Sequence, residues 1–576
     1  MYIFFLRWLY NLATLEISVR AILSYFEDSK EYCVYECARI RLCEYESTKF
    51  PYLRTVIKQI EIAVNPDQVD DSPFILKRLS SKLKVASEDI WDWKVARRSI
   101  DARGRRPLYR LKIDVYIEER IPALSPPLST MNDVRARPEV VIIGAGPAGY
   151  FAGIEAIQLG LKPIILERGK KVQDRRRDLK AIQQDGEVNP HSNYCFGEGG
   201  AGTYSDGKLY TRSHKRGNIK EILELLVAHG ASTDILIDAH PHIGSNKLPK
   251  IISKMRETIE QYGGEVRFGH FVTDILIKDH KVTGIQCEGH DIIPASFLIL
   301  ATGHSARDIF TLLDSKGVAM VAKDFALGVR IEHPQGYIDS AQYNQEIREN
   351  SLPAAAYRVA TQVDDNGVFS FCMCPGGLIV PAATAPGELV VNGMSLSRRD
   401  SPFANSGFVT SISVEELAEH GYKGLYATLD FQRDVERTLF NAGDGSQKAP
   451  AQRALDFVNG KLSPTLNDTS YIPGLWSAPM HELLPEFVYK RLRLGLIQID
   501  KKMKGYLTND ANIVGTESRT SSPIRIPRDQ DTYQHPDIQG LYPCGEGAGY
   551  AGGILSAAID GRNVVRKVME QVSAKD

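Results

Sequence analysis

Two glycine-rich segments, far apart in the chain, carry the residue type that lets a backbone approach a phosphate group closely. The first has Gly144, Gly146 and Gly149 directly after an apolar run. Gly144 permits a tight turn, Gly146 admits a pyrophosphate, and Gly149 allows a helix to pack closely. The second has six glycines between positions 540 and 553. Both segments therefore predict close contact with a phosphate or an aromatic ring.

The elements around the first glycine run are those of a nucleotide-binding βαβ unit. Residues 140–143 are a short, fully apolar strand of the buried parallel type, and a helical stretch follows as far as Leu159. A second apolar strand ends in Glu167, which is 18 residues after Gly149. A carboxylate at about this spacing accepts a hydrogen bond from a ribose hydroxyl. The combination predicts a dinucleotide site and not a glycine turn without a ligand.

Several segments together resemble the predicted FAD-utilising dehydrogenases, which are flavoproteins with a glutathione-reductase-like FAD-binding Rossmann domain. The resemblance covers roughly residues 56–568 and rests on GAGPAG with LERG, on LILATGHSARD, and on the final GLYPCGEGAGYAGG. It also rests on NYCFGEGGAGTYSDGKLYT, GVRIEHPQ, FCMCPGGLIVPA and NGMSLSRRD. It implies an FAD-dependent oxidoreductase that transfers a hydride between a small organic substrate and FAD.

By this resemblance, distant segments build a single FAD site. The first glycine run holds the pyrophosphate, residues 199–203 pass beside the pyrophosphate and flavin, and the late run brings a second helix N-terminus to the ribityl and flavin end. The partial positive charge of that N-terminus can stabilise reduced, anionic flavin. Glu546 stands where the wider FAD superfamily usually has aspartate. The implied FAD-binding residues are Gly144, Gly146, Pro147, Ala148, Gly149, Glu167, Arg168, Gly200, Ala201, Gly202, Thr203, Val272, Thr302, Gly303, Gly545, Glu546, Gly553 and Ile554.

The predicted catalytic residues are cationic or titratable side chains in the flavin-facing motifs. Flavin supplies the redox chemistry, so the protein needs only to hold the substrate and to exchange a proton. Arg330 is predicted to clamp a carboxylate and His333 to exchange the proton, with His304 as a further candidate. Alternation along a strand would point Arg330 and His333 to opposite faces unless the strand ends near Glu332. A hydrogen-bonded scaffold histidine is the alternative interpretation of His333.

Three further candidates have competing interpretations. Arg307 lies in a flavin-facing motif and is a possible cationic site residue. Cys372 and Cys374 alternate on a predicted strand, so both thiols are expected on one face. They are either a C-x-C redox pair or, as we favour, two small buried residues beside a Pro-Gly-Gly turn.

The predicted fold class is α/β, with an FAD-binding Rossmann-type domain, an inserted α+β domain and a small N-terminal α+β domain. The inserted domain is the natural place for a substrate-facing cap. A Pro-rich linker is predicted between the N-terminal and Rossmann-type domains, at residues 121–138. The predicted boundaries are an extension, helical or non-native, at residues 1–52, a β-α-β-β domain at 53–125, the FAD-binding domain at 138–322 and 521–576, and the cap at 323–520.

Charge and composition restrict the class of protein. The chain has 70 Lys and Arg against 71 Asp and Glu, so no whole-chain field attracts nucleic acid or an anionic membrane. Arg7, Glu16 and Arg20 interrupt the apolar N-terminus, so no membrane span is expected. Eight scattered cysteines without zinc-type pairs suit a reducing cytoplasm and predict no metal site.

Two other functions stay open at this point. One is a flavin monooxygenase. The other is an FAD-containing module that binds RNA or protein through a hairpin with five arginines between positions 97 and 106, although a solvated turn is the simpler explanation. No second G-x-G-x-x-G follows a predicted strand, so a separate NAD(P)H domain is not expected. Hydride would come from the substrate or from a nicotinamide that docks transiently.

Overall fold

The computed structural model describes residues 57–121, 127–209 and 217–574. The predicted N-terminal extension, residues 1–52, lies outside these ranges. Two compact units are distinguished. The smaller consists of the described part of residues 1–60 with residues 72–94 and 113–122, and the larger contains all of the described chain after residue 123.

The N-terminal elements follow the predicted order of strand, helix and hairpin. Ile62 and Val64 alternate on the buried side of the first strand, and Ile75 and Leu79 are one helical turn apart and buried. The three strands form one sheet in the order β1-β3-β2. The elements are β1 (Ile57–Val64), α1 (Ser72–Leu83), β2 (Ile90–Asp101) and β3 (Leu108–Ile117).

A five-stranded parallel sheet carries the first glycine run, which confirms the predicted Rossmann-type α/β fold. Its strand order is β22-β10-β4-β5-β6. Helix α2 begins within the first glycine run, directly after β4. Helix α13 begins at the end of the late glycine run. The elements are β4 (Glu139–Ile143), α2 (Pro147–Gln158), β5 (Lys162–Glu167), β6 (Glu265–Phe268), β10 (Leu298–Leu300), β22 (Leu541–Pro543) and α13 (Ile554–Ser573).

Both faces of this parallel sheet are covered, as its apolar sequence predicts. Val140 and Ile142 belong to one buried cluster, which includes residues of α2 and α13. Val141 and Ile143 belong to a second buried cluster on the opposite face. Because successive strand residues point to opposite faces, a strand buried on both sides is apolar throughout.

A seven-stranded sheet lies between β10 and β22 in the sequence. Its order is β13-β14-β17-β12-β20-β18-β19, and all neighbours are antiparallel except β18 and β19. Strand β12 pairs with β17 along its whole length, so it runs to Pro334 and does not end near Glu332. The strands are β12 (Phe325–Pro334), β13 (Ala360–Val363), β14 (Asn366–Cys374), β17 (Phe403–Ile412), β18 (Ala449–Arg453), β19 (Leu475–Ser477) and β20 (Asn512–Glu517).

Smaller sheets and the remaining helices complete the described chain. The short strands are β7 (Val272–Lys278), β8 (Lys281–Cys287), β9 (Ile293–Pro294), β11 (Val321–Ala322), β15 (Gly377–Pro381), β16 (Val391–Ser395) and β21 (Ile524–Arg525). The helices are α3 (Val172–Gln184), α4 (Ile219–Ala228), α5 (Leu248–Gln261), α6 (Arg307–Ser315), α7 (Gln335–Tyr343), α8 (Val414–Glu419), α9 (Ala427–Asn441), α10 (Ala454–Asn459), α11 (Met480–Leu483) and α12 (Glu486–Lys502). Within the described residues, every helix is too short or too polar to cross a membrane.

Candidate functional site

The first glycine run folds into the tight turn that its spacing predicts. Gly144 has φ +106°, and a Cβ there would lie 2.4 Å from the Ala301 carbonyl oxygen. A Cβ on Gly149 would lie 1.9 Å from the Gly144 carbonyl oxygen. Side chains at these two positions would collide with backbone, so the turn itself requires both glycines.

The middle glycine loop, residues 200–202, touches both of the other glycine runs. A Cβ on Gly200 would lie 3.1 Å from the Gly146 Cα atom. A Cβ on Gly202 would lie 3.2 Å from side-chain atoms of both Pro147 and Ile554. Segments that are distant in the sequence are therefore in van der Waals contact around one position.

The late glycine run closes the same region from the other side. A Cβ on Gly547 would lie 2.5 Å from the Gly303 carbonyl oxygen, and one on Gly545 would lie 3.0 Å from the Ala148 Cβ. Further along, a Cβ on Gly561 of α13 would lie 2.1 Å from the Ala148 carbonyl oxygen. The two helices that follow the glycine runs thus cross closely, and their N-termini lie at the same site.

Gly146 provides the test of whether this site can hold a pyrophosphate. Its backbone has φ −80° and ψ −173°, which any residue can adopt. The nearest atom to a Cβ at this position is the Gly200 Cα, 4.0 Å away. The protein itself therefore does not require glycine here, and the open space lies at the N-terminus of α2, where helix N–H groups favour an anion. The residues fit a bound pyrophosphate.

Glu167, predicted to hold a ribose hydroxyl, also fixes the backbone of the site. Its Oε2 accepts a hydrogen bond from the Ala145 N–H at 3.0 Å. Its Oε1 accepts from the N–H groups of Gly169 at 2.9 Å and Gly197 at 3.0 Å. A carboxylate offers about four acceptor positions, so one remains on Oε2 for a ligand hydroxyl. The ribose contact stays a prediction.

Arg168 lies between two aromatic rings next to Glu167. Its guanidinium is 4.5 Å from the Phe196 ring centroid and 4.4 Å from that of Phe271, and it pairs with Asp308 at 2.9 Å. Val272, another predicted FAD residue, follows Phe271 in the sequence, and its side chain is buried. These contacts hold the arginine rigidly, although its predicted contact with FAD is not tested by them.

Glu546 stays near the titration midpoint at neutral pH. Burial raises the pKa of its carboxyl to about 7, while Lys323 and a hydrogen bond from the Gly553 backbone act in the opposite direction. Gly553 is the N-cap of α13. The predicted hydrogen bond from this carboxyl to a ribityl chain is therefore compatible with either protonation state.

Arg330 is completely buried and its donors are occupied by protein groups. It forms an ion pair with Glu517, and its Nε donates to Asn405 Oδ1 at 2.7 Å. Its Nη2 donates to the Cys372 carbonyl oxygen at 2.8 Å. Its exposed fraction is 0%. This corrects the prediction of a substrate clamp, because a carboxylate would have to displace these partners to reach the guanidinium.

His333 lies in a closed cluster of tyrosines. Its Nε2 is 2.8 Å from the Tyr506 carbonyl oxygen, and its ring centroid is 4.9 Å from that of Tyr506 and 6.4 Å from those of Tyr337 and Tyr357. Its exposed fraction is 0%. These contacts correct the assignment of proton exchange with substrate and favour the alternative interpretation, a hydrogen-bonded scaffold histidine.

We expect His333 to make stability fall in acid. Burial lowers the pKa of this imidazole to about 4, from 6.5 in the unfolded chain. Its stabilising contribution is complete above pH 6.5 and is lost as the pH falls toward 4, with a slope of about 1.4 kcal/mol per pH unit. Urea unfolding of wild type and His333→Asn at pH 7.5 and 5.0 measures this. The variant should lose less stability between the two pH values; an equal loss in both proteins would contradict the assignment.

His304 is the one predicted catalytic residue with a partly exposed side chain. Its Nδ1 is 2.8 Å from Ser305 Oγ, and burial lowers its pKa to about 4, helped by Arg519 and Arg307. It directly follows Gly303, which contacts the late glycine run. His304 is therefore neutral at physiological pH and next to the predicted FAD residues Thr302 and Gly303.

Arg307 belongs to a buried ionic network that the sequence did not indicate. It pairs with Glu388 at 2.7 Å and with Glu436 at 2.8 Å. Arg519 pairs with the same two carboxylates at 3.1 and 2.7 Å. The four partners come from four separate parts of the chain, so no local pattern could have connected them. The network pairs both terminal nitrogens of the Arg307 guanidinium with protein groups, which favours a structural role for it.

A polar cluster at Lys208 contains Asp206 and Cys374, and sequence reasoning missed the lysine. Lys208 Nζ is 3.7 Å from Cys374 Sγ and 3.7 Å from Asp206 Oδ2, and its side chain is 33% exposed. Cys374 is buried and also lies 3.6 Å from Arg330 Nη2. Lys208 lies five positions after Thr203, within the SDGKL part of the motif NYCFGEGGAGTYSDGKLYT, and this position was the available signal.

The two cysteines differ more than their alternation predicts. Cys372 is exposed and has φ +46°, whereas Cys374 is buried; both are free thiols. Strand β14 has a register shift between Phe371 and Cys374, which disturbs simple alternation. The interpretation as two buried packing residues therefore holds for Cys374 only.

The basic hairpin is partly neutralised within the protein. Arg98 donates to Asp238 at 2.7 Å and to Asp234 at 3.2 Å. Arg103 pairs with Asp101 at 2.8 Å. These contacts reduce the positive charge available for an RNA partner.

Three family matches agree with the site. Residues 324–520 match the family described as FAD-dependent protein, C-terminal domain-like. Residues 138–309 match the pyridine nucleotide-disulphide oxidoreductase family, and residues 56–116 match a domain of unknown function. These matches support FAD as the cofactor of this protein.

One relative of this chain matches most of its length, and another matches less than a third of it. An uncharacterized protein of Clostridium beijerinckii is 39% identical over 529 residues, which are 88% of this chain and 98% of that protein. A thiamine thiazole synthase of Methanococcus maripaludis is 24% identical over 185 residues, which are 30% of this chain and 59% of that enzyme.

Solved structures show weaker similarity. A geranylgeranyl bacteriochlorophyll reductase-like protein from Thermoplasma acidophilum has a TM-score of 0.32 at 12% identity, covering 76% of this chain and 79% of that chain. The flavin-dependent brominase Bmp2 has a TM-score of 0.34 at 15% identity, covering 76% and 79%. No function is inferred from similarity at this level.

Proposed function

We propose that this chain, which belongs to a family of FAD-dependent oxidoreductases, transfers a hydride between FAD and a small organic anion bound at Lys208. The observation that carries this proposal is the state of the Lys208 ammonium. Its two recorded partners in the described residues, Cys374 Sγ and Asp206 Oδ2, are both 3.7 Å away. An ammonium group has three donors, so this one has capacity for a ligand oxygen at normal hydrogen-bond distance.

Charge and position support an anionic ligand at this lysine. Burial alone would lower the pKa of Lys208, but neighbouring Cys374 and Asp206 raise it above its ordinary value. The ammonium is therefore charged at neutral pH. The residue lies on the segment that leaves the glycine loop 200–202, which contacts the first and the late glycine runs. A short loop thus connects the cofactor cradle to the cation.

The chain's own residues perform the binding and proton steps. When bound, FAD accepts or donates the hydride. Lys208 holds the negative group of the substrate. His304, neutral because of its lowered pKa, is available to accept a proton next to Gly303. In this proposal Lys208 recognises the charge of the substrate, and His304 transfers the proton.

A panel of small carboxylates tests the proposal. Purified FAD-loaded protein is mixed without oxygen with 2-hydroxy and 2-amino carboxylates, each paired with its neutral amide, and with NADH or NADPH. We expect a carboxylate to bleach the oxidised flavin and its amide to react far more slowly. Lys208→Met should raise KM at least about tenfold while leaving FAD occupancy unchanged, because one charge-assisted hydrogen bond is lost.

Matched variants separate this effect from a general loss of charge. Lys208→Arg should retain most of the substrate affinity, and Lys501→Met, which removes an exposed lysine of α12, should change nothing. Equal reduction by acids and amides, or an unchanged KM in Lys208→Met, would refute the role of Lys208. Reduction by a nicotinamide alone would identify the transient donor, and the hydride acceptor would then be the corresponding 2-oxo carboxylate.

We also propose a reducing, cytoplasmic location. All five cysteines in the described ranges are free thiols, which is consistent with that compartment.

A further inference from the structure

Arg175 in helix α3 is a completely buried cation that neither the predicted FAD set nor the proposed reaction uses. Its exposed fraction is 0%. The neighbouring backbone leaves room for it at Gly197, which has φ +111° and where a Cβ would lie 2.6 Å from Arg175 Cδ. The arginine therefore occupies a space that exists only because position 197 has no side chain.

Backbone carbonyl groups bind all three nitrogens of this guanidinium. Nε donates to the Asn193 carbonyl oxygen at 2.8 Å, and Nη1 donates to the Glu198 carbonyl oxygen at 2.8 Å. Nη2 donates to the Gly200 carbonyl oxygen at 2.9 Å. These three acceptors lie within eight consecutive residues, which end at the middle glycine loop. Arg175 therefore fixes the backbone of the segment that carries this loop.

The segment that Arg175 holds is in direct contact with the first glycine run. The Gly199 N–H donates to the Ala145 carbonyl oxygen at 2.8 Å. A Cβ on Gly200 would lie 3.1 Å from the Gly146 Cα atom. Gly200 therefore contacts both the guanidinium and the residue beside which we predict the pyrophosphate.

The charge of Arg175 has no carboxylate at ion-pair distance among the described residues. Arginine keeps its proton in proteins, and the three acceptors of this guanidinium are neutral carbonyl groups. The Glu198 carboxylate pairs with Arg256 at 2.9 Å. Glu167 attracts Arg175 only from a greater distance and accepts hydrogen bonds from three backbone N–H groups. A buried charge without a close counter-charge is costly, and a bound anion nearby would reduce that cost.

We propose that Arg175 is a positioning residue for FAD and that its buried charge is the counter-charge of the FAD pyrophosphate. Because the side chain is completely buried, it acts through Gly200 and does not touch the cofactor. The cradle thus adds a fixed positive charge to the helix N-terminus that follows Gly146. The inference rests on FAD as the cofactor and is independent of the substrate proposed at Lys208.

Ultrafiltration of the FAD-loaded full chain at equilibrium measures the dissociation constant of FAD, and circular dichroism reports folding. The neutral variant Arg175→Met should weaken FAD binding at least about tenfold. Arg175→Lys keeps the charge but loses the planar fork of donors, and it should stay within about threefold of wild type. If Arg175→Met does not fold, Arg175→Gln serves as the neutral variant, because its amide can still donate to a backbone carbonyl.

Arg177→Met is the matched control, because Arg177 is on the same helix but its side chain is 86% exposed. This control removes one positive charge from α3 and should leave FAD affinity unchanged. An equal loss of affinity in the lysine and neutral variants of Arg175 would show a purely structural support and overturn the role of its charge. Normal FAD affinity in a folded neutral variant, or an equal loss in the control, would also overturn it. The assay contains no substrate, so failure of the assignment at Lys208 would not affect it, whereas wild-type protein that retains no FAD would refute the cofactor and this inference together.

Discussion

The Gly146→Val variant is expected to fold normally and to purify without FAD. Gly146 has ordinary extended backbone angles, and no protein atom lies closer than 4.0 Å to a Cβ at this position. The protein therefore accommodates the valine, but the valine would occupy the space in which we predict the pyrophosphate. We expect FAD affinity to fall by more than about a hundredfold, equivalent to about 3 kcal/mol.

The measurement compares the flavin released on denaturation with the protein concentration, and circular dichroism reports folding. Gly336→Val is the matched control, because Gly336 is also open and lies at the start of α7, away from the cradle. This control should keep its FAD. Gly149→Val should instead fail to fold, since its Cβ would lie 1.9 Å from a carbonyl oxygen. A yellow, stoichiometric Gly146→Val protein would remove the basis for placing the pyrophosphate there.

The Arg330→Ala variant is expected to lose about 3–5 kcal/mol of stability. Removal of the guanidinium leaves Glu517 as a buried charge with an exposed fraction of 0% and leaves Asn405 Oδ1 without its donor. The Arg330 guanidinium also packs directly against the backbone of Gly393, where a Cβ would be 1.9 Å from Arg330 Nη2. The surrounding backbone cannot easily fill the cavity that the alanine leaves.

Urea unfolding of the FAD-loaded protein measures the loss. The double variant Arg330→Met with Glu517→Leu is the control, because replacing a whole buried ion pair with apolar residues recovers much of the stability. A Glu517→Leu single variant should be as damaging as Arg330→Ala. An Arg330→Ala protein of normal stability but weakened substrate binding would restore the clamp that the sequence predicts.

The cofactor site was predictable because its constraints are local. The turn at Gly144, the helix after Pro147, and the acid at Glu167 each follow from a few neighbouring residues and the geometry of one βαβ unit. The strands of the parallel sheet were equally predictable from the sequence, because a strand that is buried on both faces consists almost entirely of apolar residues. For the same reason the N-terminal strand, helix and hairpin appear in the predicted order.

The candidate catalytic residues were not predictable in the same way. Whether Arg330 meets a substrate or Glu517 depends on β20 lying beside β12, and these strands are separated by most of the inserted segment. His333 is enclosed by tyrosines from three other parts of the chain, Tyr337, Tyr357 and Tyr506. A one-dimensional pattern records that a residue is titratable, but it does not record which groups surround it.

The sequence by itself determined the dinucleotide cradle, the FAD family and the α/β class, because backbone conformation at glycines and strand burial are properties of short segments. The tertiary structure alone decided which cations are free. It paired Arg330, Arg307 and Arg519 with buried carboxylates, since an unpaired charge in the interior is too costly. Among the described residues, it gave Lys208, six positions after the glycine loop, a thiol and a carboxylate at 3.7 Å as partners. Whether a charged side chain is paired depends on contacts between remote segments, and those contacts exist only in the folded chain.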